Sequence, residues 1–214
     1  MIRETATPQR RGHDAERTRE EILSVAREIF AEKGLNGARV DEIAEATHTS
    51  KRMIYYYFGS KEGLYQAVLA SSYAGIRRVE SEAGLEDMEP MEALLHVVRG
   101  TIDYQAQNPG FARLVAVENI QRARFLTQIE GIREHNRPII DVLSALIARG
   151  VGQGVFRTGL DPVDLHWLIS SFAVFNVAND ASFSFLFEQG TKREARHARH
   201  RQTAEDAVRR YCAA

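Results

Sequence analysis

The chain has 214 residues, 44% of them hydrophobic and 27% charged, with a formal net charge of −1. That length can bury a sizeable core in one large domain or two smaller ones, and the near-zero charge excludes a polycation that would hold nucleic acid by bulk charge alone. No apolar run approaches the roughly 18–20 residues that span a bilayer, and the polar N-terminal MIRETATPQRRGHDAER does not read as a secretory signal. The single cysteine, Cys212, cannot form an internal disulfide, so the expected location is the cytoplasm; it reads as an inert tail residue, with an exposed reactive thiol as the alternative.

Apolar residues recur with helical spacing along the whole chain, and period-two alternation is absent. Residues 1–14 are expected to form a flexible arm. A first helix is predicted over Ala15–Lys33, with Ile22, Leu23, Ala26, Ile29 and Phe30 on one face and Gly34 as its stop. The loop LNGAR leads to a short helix over Val40–Ala46. The turn Thr47-His48-Thr49 follows, then a second short helix over Lys51–Tyr57 that Ser50 or Thr49 can cap. Ser60 caps a long helix with the stripe Leu64, Tyr65, Val68, Leu69, Tyr73, Ile76 and Val79. Two short helices about a tight turn form a helix-turn-helix, which lays its second helix in the major groove of DNA.

Beyond a break at 84–89, Pro90 starts a helix that runs to Gln107. Asn108-Pro109-Gly110 interrupts the chain before a helix over Phe111–Gln121. The helical pattern of Phe125–Val151 contains Pro138, which either kinks it or begins it after Asn136. The connector GVGQGVFRTG leads to Asp161, a cap, and Pro162, which opens the segment LHWLISSFAVFNVANDASFSFLFEQG. That segment is apolar nearly all round, so it should be buried on more than one side, as a central core helix or a dimer helix. A charged helix with an alanine-rich seam, Lys192–Tyr211, closes the chain, and these last two helices are the expected dimer elements. The fold class is therefore all-α: an N-terminal three-helix helix-turn-helix head plus a C-terminal helical bundle for ligand binding and dimerisation. The expected boundaries are an arm at 1–14, the head at 15–60 and the bundle at 61–214.

Charge is unevenly distributed. The first 65 residues hold eleven basic and eleven acidic side chains, residues 66–190 ten and fifteen, and residues 191–214 seven and three. A balanced head can bind DNA only if its cations, among them Arg17, Arg19, Lys51, Arg52 and Lys61, lie on one side of it.

The residues Phe30, Gly34, Val40, Ile43, Ala44, Ser50, Lys51, Ile54, Tyr55, Tyr56, Phe58, Lys61, Glu62 and Leu64 together resemble the TetR family of transcriptional regulators, without insertion between Gly34 and Leu64. The resemblance covers about a third of the chain. The segments GARV, SKEGLYQAVL and NPGFARLVAVEN look closest to the pyrimidine-utilisation regulator branch. Two places depart from the family pattern. Thr47-His48-Thr49 stands where Ala-Gly-Val is usual, so His48 in a left-handed turn would cost on the order of 1 kcal/mol relative to glycine. Arg39 stands where a Ser or Thr cap is usual and cannot accept a capping bond.

The candidate DNA-binding residues are Arg39, Thr49, Ser50, Lys51, Arg52, Met53, Tyr55, Tyr56, Tyr57 and Lys61. Arg52 can fork onto guanine O6 and N7, and Lys51 can reach a phosphate or a guanine. Met53 either touches a thymine methyl or packs. Thr49, Ser50 and Lys61 can donate to phosphates, which set register while base contacts set sequence. The resemblance implies that one or two of the tyrosines contact phosphate while Tyr55 partly packs. The Arg10–Arg19 stretch either tracks DNA or is solvated.

In the bundle, polar groups inside apolar stretches mark candidate ligand-binding positions: Tyr104, Phe111, Val115, Glu118, Asn119, Phe172, Phe175, Asn176, Asn179 and Phe183. Buried amides and carboxylates need partners, and a small ligand in an apolar pocket would supply them. Pairing with one another or with backbone is the other outcome, and the aromatics equally suit a core or a dimer interface. His197 and His200 with Glu194 have helical metal-ligand spacing but no thiolate nearby, so no metal is expected. Neither a cofactor nor catalysis is expected, for want of a phosphate-binding glycine loop, a nucleophile elbow or an HExxH motif. The sequence reads as a ligand-responsive regulator, a homodimeric repressor released from a near-palindromic double-stranded DNA operator when a small molecule binds the bundle. A ligand-independent or activating DNA-binding protein is the alternative, and an all-helical enzyme with a degenerate head is a more distant one.

Overall fold

The computed structural model describes residues 8–81, 84–187, 190 and 192–214, the side chains of 8–13 excepted. The described residues fold into helices, joined by turns and one isolated bridge between Phe156 and Ala213. The chain divides into two compact units: residues through Ser71 with Val117–Ile129, and Ser72–Ala116 with Glu130–Ala214.

In the first unit, α1 (Pro8–Gly37) begins seven residues ahead of the predicted Ala15, so part of the expected arm is helical; the rest of it, residues 1–7, lies outside the described residues. Gly34 ends the regular run as predicted, with φ 66° and ψ 175°, and a last turn to Gly37 follows the kink. The helices α2 (Val40–Ala46), α3 (Lys51–Phe58) and the first half of α4 (Lys61–Glu80) follow. Ile22, Ala26, Phe30, Ile43, Ile54, Leu64, Tyr65, Val68 and Leu69 are buried. Phe30 meets Tyr65 edge-on at 5.1 Å, and Tyr65 meets Phe125 at 5.4 Å. Phe125 precedes a 3₁₀ turn, Leu126–Gln128, whose Gln128 side chain accepts a bond from Gln66 at 3.0 Å.

The second unit holds the rest of α4, α5 (Pro90–Gln107), the start of α6 (Pro109–Ile120), α7 (Ile132–Asn136), α8 (Pro138–Gly152), α9 (Pro162–Ala178), α10 (Asp180–Phe187) and α11 (Arg193–Cys212). Pro138 begins α8 rather than kinking a longer helix. Leu94, Val98, Ile102, Leu143, Leu165, Ile169, Ala204 and Val208 make the core. The apolar segment 163–187 departs from the expected single helix and, within one protomer, is fully buried along one side only. It is two helices, because Asn179 leaves helical geometry and turns its amide back onto the Phe175 carbonyl at 3.0 Å. It is also fully buried only along Leu165, Ile169 and Ala173, with Trp167 74% and Phe175 57% exposed. Cys212 is a core residue rather than a tail one: it continues the Ala204–Val208 row at four-residue spacing, and burial pushes its thiol up to about 11.

Candidate nucleic-acid interface and effector cavities

The turn between α2 and α3 is closed by backbone geometry. Thr49 N donates to the Ala44 carbonyl at 3.0 Å and His48 N to that of Glu45 at 3.2 Å. This pair of bonds is the Schellman arrangement, which needs a left-handed residue just past the helix end. His48 is that residue, at φ 49°. The Thr47 hydroxyl, buried, donates to the Ile43 carbonyl at 2.7 Å and pins the turn from inside. Arg39 precedes α2 in extended geometry without a capping side-chain bond, the deficit its residue type implies.

Ser50 caps α3 from an extended conformation, its Oγ accepting from Met53 N at 3.2 Å. Ser60 does the same for α4, accepting from Gly63 N at 2.9 Å. Of α3 only Ile54 is fully buried. Lys51, Arg52, Met53, Tyr55 and Tyr56 are exposed, Tyr56 by 78%, while Tyr57 and Lys61 are half-buried. Tyr55, expected to pack in part, remains 44% exposed.

Two cations stand in the first turn of α3, where the helix dipole disfavours positive charge, and that turn holds no acid of its own. Compensation comes from α2: Lys51 Nζ lies 2.5 Å from Asp41 Oδ1, and Arg39 Nη2 lies 3.8 Å from Asp41 Oδ2. Glu42 pairs with Lys33 of α1, and their hydrogen bond is the largest influence lowering the carboxyl and raising the ammonium. Among the described residues no ion pair engages Arg52 or Lys61, so these cations are available to an external anion. Asp41 is the residue at this surface that the sequence reading did not single out; its signal was an acid at the start of α2 facing a basic α3 terminus.

The candidate ligand residues separate into three groups. Phe111, buried, meets Tyr73 edge-on at 5.1 Å and Tyr104 at 6.4 Å. Tyr104 lies so close to α4 that a methyl group on Gly75 would fall 2.2 Å from its hydroxyl, and Val115 is half-buried. Glu118 and Asn119 belong to the first unit instead. The Glu118 carboxylate, 2% exposed, accepts from Phe125 N at 3.1 Å and Leu126 N at 3.0 Å, and Asn119 is exposed. The protein's own backbone thus takes up Oε2 of this carboxylate, while Oε1 is buried without a hydrogen-bond partner.

The third group does converge. Phe175, Asn176, Asn179 and Phe183 line a cavity of about 200 Å³, with Asp180, Ser184, Arg196 and His200 on its wall. Asn176, Asp180 and Arg196 also line a larger cavity of about 840 Å³, together with Asp103, Arg113, Arg193 and His197. Phe172 instead packs on the core and tilts over His200 at 6.1 Å. Two of the acids here are engaged: Asp180 by Arg196 at 2.9 Å and Ser184 at 3.1 Å, Asp103 by His197 at 2.8 Å and Arg201 at 3.0 Å. His200 bonds the Phe172 carbonyl at 2.9 Å, and burial lowers its pKa. Among the described residues no His, Cys, Asp and Glu cluster is arranged to hold a metal.

A capped short helix that exposes cations and hydroxyls from a helix-turn-helix defines a DNA-binding protein. Comparison with known proteins gives the family. Residues 22–68 match the model of the tetR family of bacterial regulatory proteins, and residues 90–208 that of the tetracyclin repressor-like C-terminal domain. The transcriptional repressor NicS of Pseudomonas putida is 32% identical over 81% of this chain and 82% of its own length. The transcriptional regulator RutR of Escherichia coli is 34% identical over 69% and 68%. The structure of the transcriptional regulator SCO4942 from Streptomyces coelicolor superposes with a TM-score of 0.65 at 26% identity, covering 91% of this chain and 98% of the other. The chain belongs to the TetR family and is a DNA-binding transcriptional regulator. Among the described residues no helix is long and apolar enough to cross a membrane.

Proposed function

We propose that the protein is a cytoplasmic, homodimeric repressor that leaves its operator when a small molecule occupies the second unit. The observation that carries the DNA half is the exposed N-terminal turn of α3, where Lys51 and Arg52 stand beside a capped helix end. In this reading Arg52 and Lys51 read base edges, Met53 touches a thymine methyl, and Thr49, Ser50, Lys61, Arg39 and the three tyrosines hold phosphates. Dimer symmetry then requires a near-palindromic operator with half-sites about 34 Å apart or a multiple of that. The exposed Val163, Trp167 and Phe175 of α9, with Phe183 of α10, supply the apolar face for a second copy.

The two neighbouring cavities that share Asn176 and Arg196 are the effector site. The helix α6 offers a route from there to the head, because it carries Pro109 and Arg113 on the cavity wall and Glu118 at its far end. An effector acts only through a difference in affinity between the DNA-competent and released states. A genomic selection with the purified protein, followed by fluorescence anisotropy on the recovered duplex, tests the DNA half. Enrichment of a palindrome supports it, and failure to retain any duplex at low salt overturns it. A thermal-shift screen of small molecules tests the effector half, since a ligand bound to the folded state raises Tm. A hit that leaves operator affinity unchanged refutes the release mechanism and favours a ligand-independent regulator.

A further inference from the structure

Asp41 has a role at the DNA face that the regulator reading alone does not require. It is exposed in the first turn of α2, and its two oxygens face two cations: Lys51 Nζ at 2.5 Å and Arg39 Nη2 at 3.8 Å. Both members of the Lys51 pair are about half exposed, 52% and 50%, so the pair contributes little to stability. What it does change is the charge available to DNA. A lysine that binds phosphate releases condensed counterions wherever it meets a duplex, whatever the sequence. A lysine already held by a carboxylate gains less from an arbitrary phosphate.

We propose that Asp41 is a positioning residue that restrains Lys51 and thereby raises the ratio of operator to random-sequence binding. On random DNA, Asp41 and phosphate compete for Lys51, so an arbitrary phosphate contact gains less than it would from a free lysine. On the operator, where Arg52 and the tyrosines fix α3 in register, Lys51 meets a fixed partner in the groove and exchanges Asp41 for it. The balanced charge of the head fits this arrangement, because affinity then rests on a few placed groups and not on a cationic surface. The proposal rests on the reading of α3 as the DNA-contacting helix.

The test uses the full-length protein and fluorescence anisotropy on two duplexes, the selected operator and a shuffled sequence, across 50–300 mM KCl. Asp41→Asn is expected to tighten random-duplex binding several-fold, to steepen its salt dependence by about one unit of log–log slope, and to move operator affinity by less than twofold. Asp41→Glu, which keeps the carboxylate, should retain the wild-type ratio. The decisive comparison is Asp41→Asn in a Lys51→Met background. If Asp41 acts through Lys51, the added substitution there has little effect on random DNA. An equal effect in both backgrounds means simple repulsion of phosphate and overturns the proposal. So does a uniform loss of affinity with a lowered Tm, which would make Asp41 a support of α2. Lys51→Met alone separates the two layers: if it leaves operator binding unchanged, the assignment of α3 contacts has failed, and not only the role of Asp41.

Discussion

The first unit carries its charge outside, the buried Glu118 excepted, and its aromatics inside, apart from the tyrosines of α3. The second unit does nearly the reverse. It buries Glu80 to 1% exposure beside Arg77, while leaving Trp167, Phe175 and Phe183 in solvent. Each departure from ordinary partition of residues points to a different partner. Exposed cations and phenols on a short capped helix suit phosphates and base edges, whereas exposed indole and phenyl rings on a long helix suit another protein surface. The ion pairs differ in the same way. Lys51–Asp41 lies half in water, where pairing is cheap to break. Arg77–Glu80 is enclosed, where removing one partner strands the other.

The buried pair gives the largest expected effect. Burial, offset in part by Arg77 and by the Thr101 hydroxyl at 3.1 Å, pushes the Glu80 carboxyl up to about 7. His166, whose Nε2 is 3.5 Å from Arg77 Nη1, is pushed down to about 4 by burial first and the guanidinium second. The two groups act oppositely on stability. The Glu80 contribution is complete below its unfolded value of 4.5 and is lost as pH rises through 7; the His166 contribution is complete above 6.5 and is lost as pH falls through 4. Arg77→Met should cost about 3 kcal/mol at pH 8, where it strands an ionised carboxylate, and clearly less at pH 5, where Glu80 holds its proton. Urea unfolding at the two pH values measures this, and an equal cost at both would mean that Glu80 is not the group being stranded.

Next in size is the apolar face. Trp167→Glu should weaken self-association by about 2 kcal/mol or more, roughly 30-fold or greater, leaving the monomer folded, because Trp167, 74% exposed, has little burial to lose within its own chain. Sedimentation velocity with circular dichroism reads both. A dimer that survives the glutamate would move the interface to α11. On the DNA side, Arg52→Ala should cost about 1–3 kcal/mol on the selected operator and relax preference at one base pair per half-site. An even loss across all sequences would instead make Arg52 a phosphate contact.

The two regions also differ in how far they could be read in advance. The head is built by neighbours in sequence: Gly34 ends a helix, Ser50 and Ser60 cap the next two, and His48 fills the left-handed place in the turn. Each of these rests on bonds within a few residues, so composition and spacing reveal them. Glu118 could not be read this way, because its partners are backbone amides in a turn where Arg122 and Ala123 both have φ of 57°. Nothing in EN-I-QRAR announces left-handed residues. Cys212 lies four residues after Val208 and eight after Ala204, a core spacing that its place near the end of the charged helix conceals. The end of α9 was hidden for another reason: Asn179 breaks the helix by bonding its own preceding turn, and an asparagine among phenylalanines carries no glycine or proline to signal it. The cavity lined by Phe175, Asn176, Asn179 and Phe183 was legible as a set, while its basic wall, Arg196 with Arg113 and Arg193, comes from helices distant in sequence.

The smallest expected effect bears on why the head tolerates a costly turn. A non-glycine residue at φ 49° is disfavoured by on the order of 1 kcal/mol, and the Schellman bonds at Thr49 and His48 hold it there. His48→Gly should therefore stabilise the protein slightly, by up to about 0.5 kcal/mol once the greater freedom of glycine in the unfolded chain is subtracted. The imidazole is exposed and lies two residues before Ser50, at the edge of the surface assigned to DNA. Chemical denaturation and operator anisotropy on the same variant separate the two roles. A more stable protein with unchanged affinity leaves the strain as a tolerated local cost. A more stable protein with tenfold weaker operator binding would place His48 beside Arg52 among the groups that touch DNA, and the strain in the turn would then be held for contact rather than for folding.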